Sequence, residues 1–178
     1  RNPVGSYRRT FRVPEAWEGR TVFLTFDGVN SACYIWLNGE RLGYSEDSRT
    51  PAEFDITGRL APGDNVLAVE VYRYSDGSYL EDQDFWRMSG IFRDVFLWSA
   101  PRIHIRDFEV HSPFEPEERR GRLAVTVDVE GRAGASPAGS SVEAVLINTR
   151  GIPIGEGPLV GAEVPKDGRV TLRTRIRN

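Results

Sequence analysis

Apolar and polar positions alternate with a period of two through most of this chain, and that period predicts strands. Residues 7–13 put Tyr7, Arg9, Phe11 and Val13 on one face, and Pro14 ends the run. Residues 14–19 are too short for a full helix and read as a turn, or one helical turn closed by Gly19. Residues 21–27 set Val22, Leu24 and Phe26 against Thr21, Phe23 and Thr25. Residues 32–37 are almost continuously apolar, as in a strand covered on both faces, with Trp36 in the core. Asn38-Gly39 follows. Both positions tolerate positive φ, which predicts a two-residue hairpin and a returning strand over 40–44. A polar loop over 45–53, a short strand near 54–57 and a turn over 60–65 come next. Residues 66–72 align Leu67, Val69 and Val71, and residues 91–98 form a further strand.

Pro101 marks a break. Over 102–110 the apolar face passes from Ile103 and Ile105 to Phe108 and Val110, which predicts a bulge or a bend near Asp107. A charged turn spans 113–121. Leu123, Val125, Val127 and Val129 define a strand, and residues 131–141 form a loop of small side chains. Strands are predicted at 142–147 and 170–176, with prolines and glycines between 151 and 168. No segment holds a 3.6-residue apolar period over ten or more positions. The chain is therefore all-β, in two sandwiches spanning residues 1–100 and 101–178.

Composition narrows the function classes. The chain has 178 residues, 39% hydrophobic and 28% charged, as in a soluble globular protein. Its net charge is −3, with arginines scattered among acids, so it carries no nucleic-acid footprint. No apolar run approaches the ~20 residues of a membrane span. Cys33 is the only cysteine and sits in an apolar run, so it reads as a small buried residue. His104 and His111 belong to no metal-spaced cluster. There is no glycine-rich phosphate loop and no G-x-S-x-G elbow.

The chemistry concentrates in residues 75–95, S-D-G-S-Y-L-E-D-Q-D-F-W-R-M-S-G-I-F-R-D-V. Glu81, Asp82 and Asp84 lie within four residues, and Phe85, Trp86 and Arg87 follow. Carboxylates beside a tryptophan suit a sugar. The carboxylate accepts from hydroxyls or holds a cation, and the indole stacks on the apolar face of the ring. The same residues also fit a polar loop around a core tryptophan. Glu81 and Asp82 suit holding the loop by accepting hydrogen bonds. Arg87 and Arg93 suit pairing with acids such as Asp94. Asn30 and Ser31 suit a turn, and Asp47 and Arg49 suit loop scaffolding.

Three stretches together resemble the N-terminal sugar-binding domain of family 2 glycoside hydrolases: F-D-G-V-N-S-A-C-Y-I-W-L-N-G-E-R-L-G-Y-S over 26–45, P-A-E-F-D-I-T-G-R-L-A-P-G-D-N-V-L-A-V-E-V over 51–71, and the loop over 75–95. The stretch D-S-R-T-P-A-E-F over 47–54, with S-D-G-S-Y-L-E-D-Q-D, is similar to the large bacterial lactose-hydrolysing β-galactosidases and less so to the β-glucuronidases and β-mannosidases of the family. The resemblance is specific up to Pro101 and fades beyond Asp107.

It implies a jelly-roll (galactose-binding-like) sandwich followed by an immunoglobulin-like sandwich, both truncated at the chain ends. It implies a non-catalytic part of a retaining β-galactosidase whose two catalytic glutamates and magnesium site lie in a following TIM barrel. Asp84, the last acid of E-D-Q-D, maps to the residue that contacts the galactosyl hydroxyls and sodium; Trp86 suits lining the pocket and equally suits packing. Partners implied are a β-galactoside, the barrel and further copies of the parent chain, in the cytoplasm, without nucleic acid or membrane. The alternatives are a free-standing carbohydrate-binding module of the same fold, or a fragment of a family 2 β-glucuronidase or β-mannosidase. Two expectations follow: exposed strand edges at the truncations should make the isolated chain associate, swap strands or be poorly ordered at its termini, and without the barrel groups it should bind neither sodium nor galactose measurably.

Overall fold

A computed structural model describes residues 1–82, 84, 86, 88–117, 120–154 and 160–177. They form two compact units, residues 1–100 and 101–178. Nearly all regular structure is strand, in sandwich-like sheets.

The first unit contains β1 (Val4–Arg12), β2 (Thr21–Phe26), β3 (Val29–Asn30), β4 (Ala32–Leu37), β5 (Glu40–Glu46), β6 (Ala52–Asp55), β7 (Asp64–Tyr72), β8 (Gly90–Ile91) and β9 (Val95–Ala100). Antiparallel pairing arranges them as a four-stranded sheet β1-β7-β4-β5, a three-stranded sheet β6-β2-β9 and the short pair β3-β8. The alternation is what builds the core. Val22, Leu24 and Phe26 of β2 pack with Cys33, Ile35 and Leu37 of β4 and with Leu67, Val69 and Val71 of β7. Cys33 is fully buried, and its burial pushes the thiol up to about 11.

The polar-pattern face of β2 is buried too. Phe23 stacks on Trp98 at 4.4 Å, and the indole N–H donates to Thr25 Oγ1 and Glu53 Oε2, both at 3.1 Å. Trp36 is not in the core. It is half-buried on the outer face of β4, where Tyr34 meets Trp36, Tyr44 and Tyr72 at centroid distances of 6.1, 4.9 and 5.8 Å. A strand whose inner residues fill the core must send the intervening ones outward.

Asn38 and Gly39 adopt φ of +54° and +86°, the left-handed pair a two-residue hairpin needs. The predicted turn at 14–19 contains a 3-10 turn (Glu15–Trp17) and Gly19 at φ +75°. Three boundaries differ from the pattern. β5 runs on through Glu46 and β6 begins at Ala52, which shortens the loop to residues 47–51. The strand at 91–98 is two strands, because β8 pairs with β3 and β9 with β2, and residues 92–94 cross between them. A one-turn helix, α1 (Gly77–Leu80), sits in the loop after β7.

The second unit contains β10 (Ile103–His111), β11 (Phe114–Glu115), β12 (Arg120–Gly131), β13 (Ser141–Ala144), β14 (Val160–Glu163) and β15 (Arg169–Arg177). β12 is central, pairing with β10, β11 and β15, and β13 pairs with β14. The β10 register shifts between Ile105 and Asp107, the bulge the face change predicts. Within the stretch read as a charged turn, Phe114 and Glu115 of β11 pair with Gly121 and Arg120 of β12. The strand at 142–147 stops at Ala144, and Ile147 makes only an isolated bridge to Pro153. β14 lies in the stretch read as turns. Val127, Val129, Val142, Val164, Val170 and Leu172 form this unit's core.

Candidate functional site

The acid-rich loop leaves the end of β7 and returns at β8. Ser31, buried between β3 and β4, donates from Oγ to Ser75 Oγ at 2.8 Å, which ties the loop to the sheet where it starts. Ser75 N–H donates to Ser78 Oγ at 3.0 Å, and α1 follows.

Two carboxylates bracket that helical turn. Glu46 ends β5, and its Oε1 accepts the Gly77 N–H at 2.8 Å. Its Oε2 accepts from the Tyr44 hydroxyl at 2.7 Å. The Tyr44 hydroxyl first, then the Gly77 N–H and the Ser75 and Asp76 side chains, pull the Glu46 carboxyl down to about 2. Desolvation, then the Glu46 partner, pushes the Tyr44 phenol up. At the other end of the turn, both Glu81 oxygens accept the Ser48 N–H at 3.2 Å.

Residues 47–50 form the pedestal. Asp47 takes φ +86°, and its Oδ1 accepts the N–H groups of Arg49 at 3.0 Å and Thr50 at 3.3 Å. These donors hold its carboxyl below the ordinary range, Arg49 N–H contributing most. The Arg49 guanidinium donates to Trp86 O at 3.4 Å and lies 5.3 Å from the Phe92 ring centre. The scaffolding read for Glu81, Asp47 and Arg49 is thus the observed arrangement. Asp82 also makes a polar or charged contact within the fold. Arg93 fixes the loop through carbonyls instead of acids, donating to Asp27 O at 3.3 Å and Arg49 O at 3.2 Å.

Asp84 and Trp86 are presented outward. Asp84 is exposed and, among the described residues, accepts no hydrogen bond. Trp86 is 85% exposed, so it packs into no core of the described residues. Tyr79, Leu80 and Met88 are exposed on the same loop. Arg87 and Phe85, which the sequence also singles out, lie outside the described residues. Sequence reasoning missed Glu46, Tyr44 and Gly77. The only local signal was an acid two residues after a tyrosine, and its partner Gly77 is 31 residues away.

No group of three or more His, Cys, Asp and Glu side chains converges among the described residues. Among them, too, no helix is long and apolar enough to cross a membrane. The arrangement offers an exposed carboxylate, unengaged among the described residues, and an exposed indole two residues later in the chain, on a loop whose approach is held from both sides.

Comparison with known proteins places the chain in a family. The chain is 48% identical over 178 residues to a β-galactosidase of Priestia megaterium, covering 99% of this chain and 17% of the relative. It is 55% identical over 128 residues to a β-galactosidase of Pectobacterium atrosepticum, covering 71% of this chain and 12% of the relative. The chain therefore spans under a fifth of the length of these relatives. The solved β-glucuronidase 2 of Bacteroides uniformis shares the fold, with a TM-score of 0.78 at 22% identity over 97% of this chain and 21% of that one. The family model "Glycosyl hydrolases family 2, sugar binding domain" matches residues 1–101, and the chain belongs to that family.

Proposed function

We propose that this chain is the non-catalytic N-terminal part of a β-galactosidase, and that it lends Asp84 to an active site completed by a following TIM barrel. In this reading residues 1–100 are the jelly-roll domain and residues 101–178 belong to an immunoglobulin-like sandwich. The parent cleaves terminal β-galactosides with retention, using two barrel glutamates. Support for the substrate comes from β-galactosidase relatives at 48% and 55% identity.

The observation that carries the role of Asp84 is a contrast. Glu46, Asp47 and Glu81 have oxygens engaged by hydroxyls or backbone N–H groups, while Asp84 is exposed and engages none among the described residues. Galactose hydroxyls are donors such a carboxylate accepts, and Trp86, 85% exposed on the same loop, is free to stack on a sugar ring.

A sodium ion takes oxygen ligands, so Asp84 fits as one of them. One carboxylate does not complete a shell, and the remaining oxygens come from the barrel. When bound, sodium supplies a fixed positive charge that orients sugar hydroxyls. Asp84 holds that charge and, through it or directly, the galactosyl ring. Magnesium, in this reading, belongs to the barrel.

The test uses the full-length parent. Hydrolysis of aryl β-galactoside, β-glucuronide and β-mannoside is compared with and without sodium, for the native enzyme and Asp84→Ala. The galactoside should be preferred, and Asp84→Ala should lose on the order of 100-fold in kcat/KM together with the sodium response. Preference for another glycoside overturns the substrate. An intact sodium response in Asp84→Ala overturns the role of Asp84.

A further inference from the structure

We infer that Glu46 is a positioning residue for Asp84, fixing the helical turn from which the sugar-facing stretch extends. The inference rests on the reading of Asp84 given above. It adds a residue far from Asp84 in sequence and on a different element.

The argument starts at the backbone. α1 is a single turn, and its first N–H groups have no partner inside the turn. Asp76, the residue before it, makes no side-chain cap. The Gly77 N–H is taken instead by Glu46 Oε1, from a strand 31 residues earlier. Glu46 is itself fixed. Its second oxygen holds the Tyr44 hydroxyl, and the Tyr44 ring rests 4.9 Å from Tyr34 on the outer face of the sheet. The carboxylate thus connects the rigid four-stranded sheet to the first residue of the turn. A charge-assisted bond from a strand defines that residue's place more tightly than solvent does. Beyond the turn, Glu81 takes the Ser48 N–H, and Asp84 follows three residues later.

Gly77 is fitted to the same contact. A Cβ there would stand 2.9 Å from Glu46 Oε1 and 3.1 Å from Glu46 Cγ. A side chain at Gly77 makes either the Glu46 carboxylate or the turn give way, and both weaken the contact.

The experiment is done on the full-length enzyme with an aryl β-galactoside and sodium chloride. Four variants are compared: Glu46→Ala, Glu46→Gln, Gly77→Ala and Asp84→Ala. Glu46→Ala should raise both KM and the half-saturating sodium concentration about tenfold, the scale of losing a charge-assisted hydrogen bond. Gly77→Ala should shift the same two quantities in the same direction with the carboxylate still present, so the claim stays open to test if Glu46→Ala does not fold. Glu46→Gln keeps an acceptor for the Gly77 N–H and a donor for the Tyr44 oxygen, and should stay within about twofold of the native enzyme. A purely structural role would lower kcat through loss of active protein and leave KM and the sodium midpoint unchanged. That outcome in Glu46→Ala and Gly77→Ala overturns the inference. If Asp84→Ala itself leaves the sodium response intact, the reading of Asp84 fails instead, and the two failures are told apart by that variant.

Discussion

Glu46, Asp47 and Glu81 are acids whose oxygens are already engaged, and that engagement has a pH signature. The folded Glu46 carboxyl lies near 2, below its ordinary value of 4.5, because the Tyr44 hydroxyl, the Gly77 N–H and the side chains of Ser75 and Asp76 favour its charged form. A depressed carboxyl contributes stability that is fully present above pH 4.5 and lost as the pH falls from 4.5 through 2. Glu46→Gln removes that contribution, while Asp47, held low by its own N–H donors, keeps its part in both proteins. The denaturant midpoint of the native chain should therefore fall more steeply between pH 5 and 2 than that of Glu46→Gln, by tracked fluorescence. Parallel curves would show that the Glu46 bonds add nothing to stability. Residue type and spacing were enough to single out Asp84 and Trp86 as candidates, since acids clustered beside a tryptophan are visible in one line of sequence, and the structure adds that both are exposed. Glu46 was not legible. Its meaning depends on Gly77, and only the pairing of β4 with β5 and β7 brings the end of β5 to the start of the loop.

At the level of elements, the sites where local chemistry and tertiary pairing agree were the readable ones. The strand at 21–27, the Asn38-Gly39 hairpin and the bulge near Asp107 each rest on a short-range rule that packing then reinforces. The break at residues 92–94 was hidden because no glycine or proline interrupts residues 91–98, and only the choice of partners, β3 for one half and β2 for the other, splits the run. β14 was hidden because a four-residue strand among glycines and prolines carries too few side chains to show a period. One connection between elements was also invisible and is testable. Asn65, only 1% exposed, accepts from Asn38 Nδ2 and the Ala61 N–H at 2.8 Å each, and donates to Ala61 O at 3.0 Å and Gly63 O at 3.2 Å. Asn38 in turn accepts the Val66 N–H at 2.9 Å. The hairpin and the turn before β7 are thus pinned by one buried amide. Asn65→Ala leaves the Ala61 N–H and the Asn38 amide without this acceptor and should cost about 2–3 kcal/mol, read as a lower midpoint in urea. A cost within about 0.5 kcal/mol, the range of ordinary surface changes, would mean that water replaces the amide.

For the molecule as a whole, both units leave apolar surface open beside free strand edges. In the second unit, Ile105, Phe108 and Val110 of β10 stand opposite Val129, Val127 and Val125 of β12. Residues directly opposite in an antiparallel pair share a face, so these β10 side chains lie on the core side of the sheet. Val127 and Val129 are buried there, yet Ile105 is 56% and Phe108 66% exposed. β10 is also an outer strand of its sheet. In the first unit, an apolar opening of about 340 Å³ lies between β1 and β9, where Tyr7 and Val95 line the rim and Phe26, Leu67 and Val69 the floor. β1 and β9 are outer strands as well. Unpaired edges next to uncovered apolar side chains are templates for pairing with another chain. The 178-residue chain on its own should associate as its concentration rises, measured by light scattering on a sizing column. Replacing Ile105 and Phe108 together by lysine tests the cause. Both are more than half exposed, so the double variant should still unfold cooperatively, while a charged face opposes association. A native chain that stays monomeric at every concentration tested would contradict the claim outright. Association that persists in the double variant would move its origin from β10 to the open edge between β1 and β9.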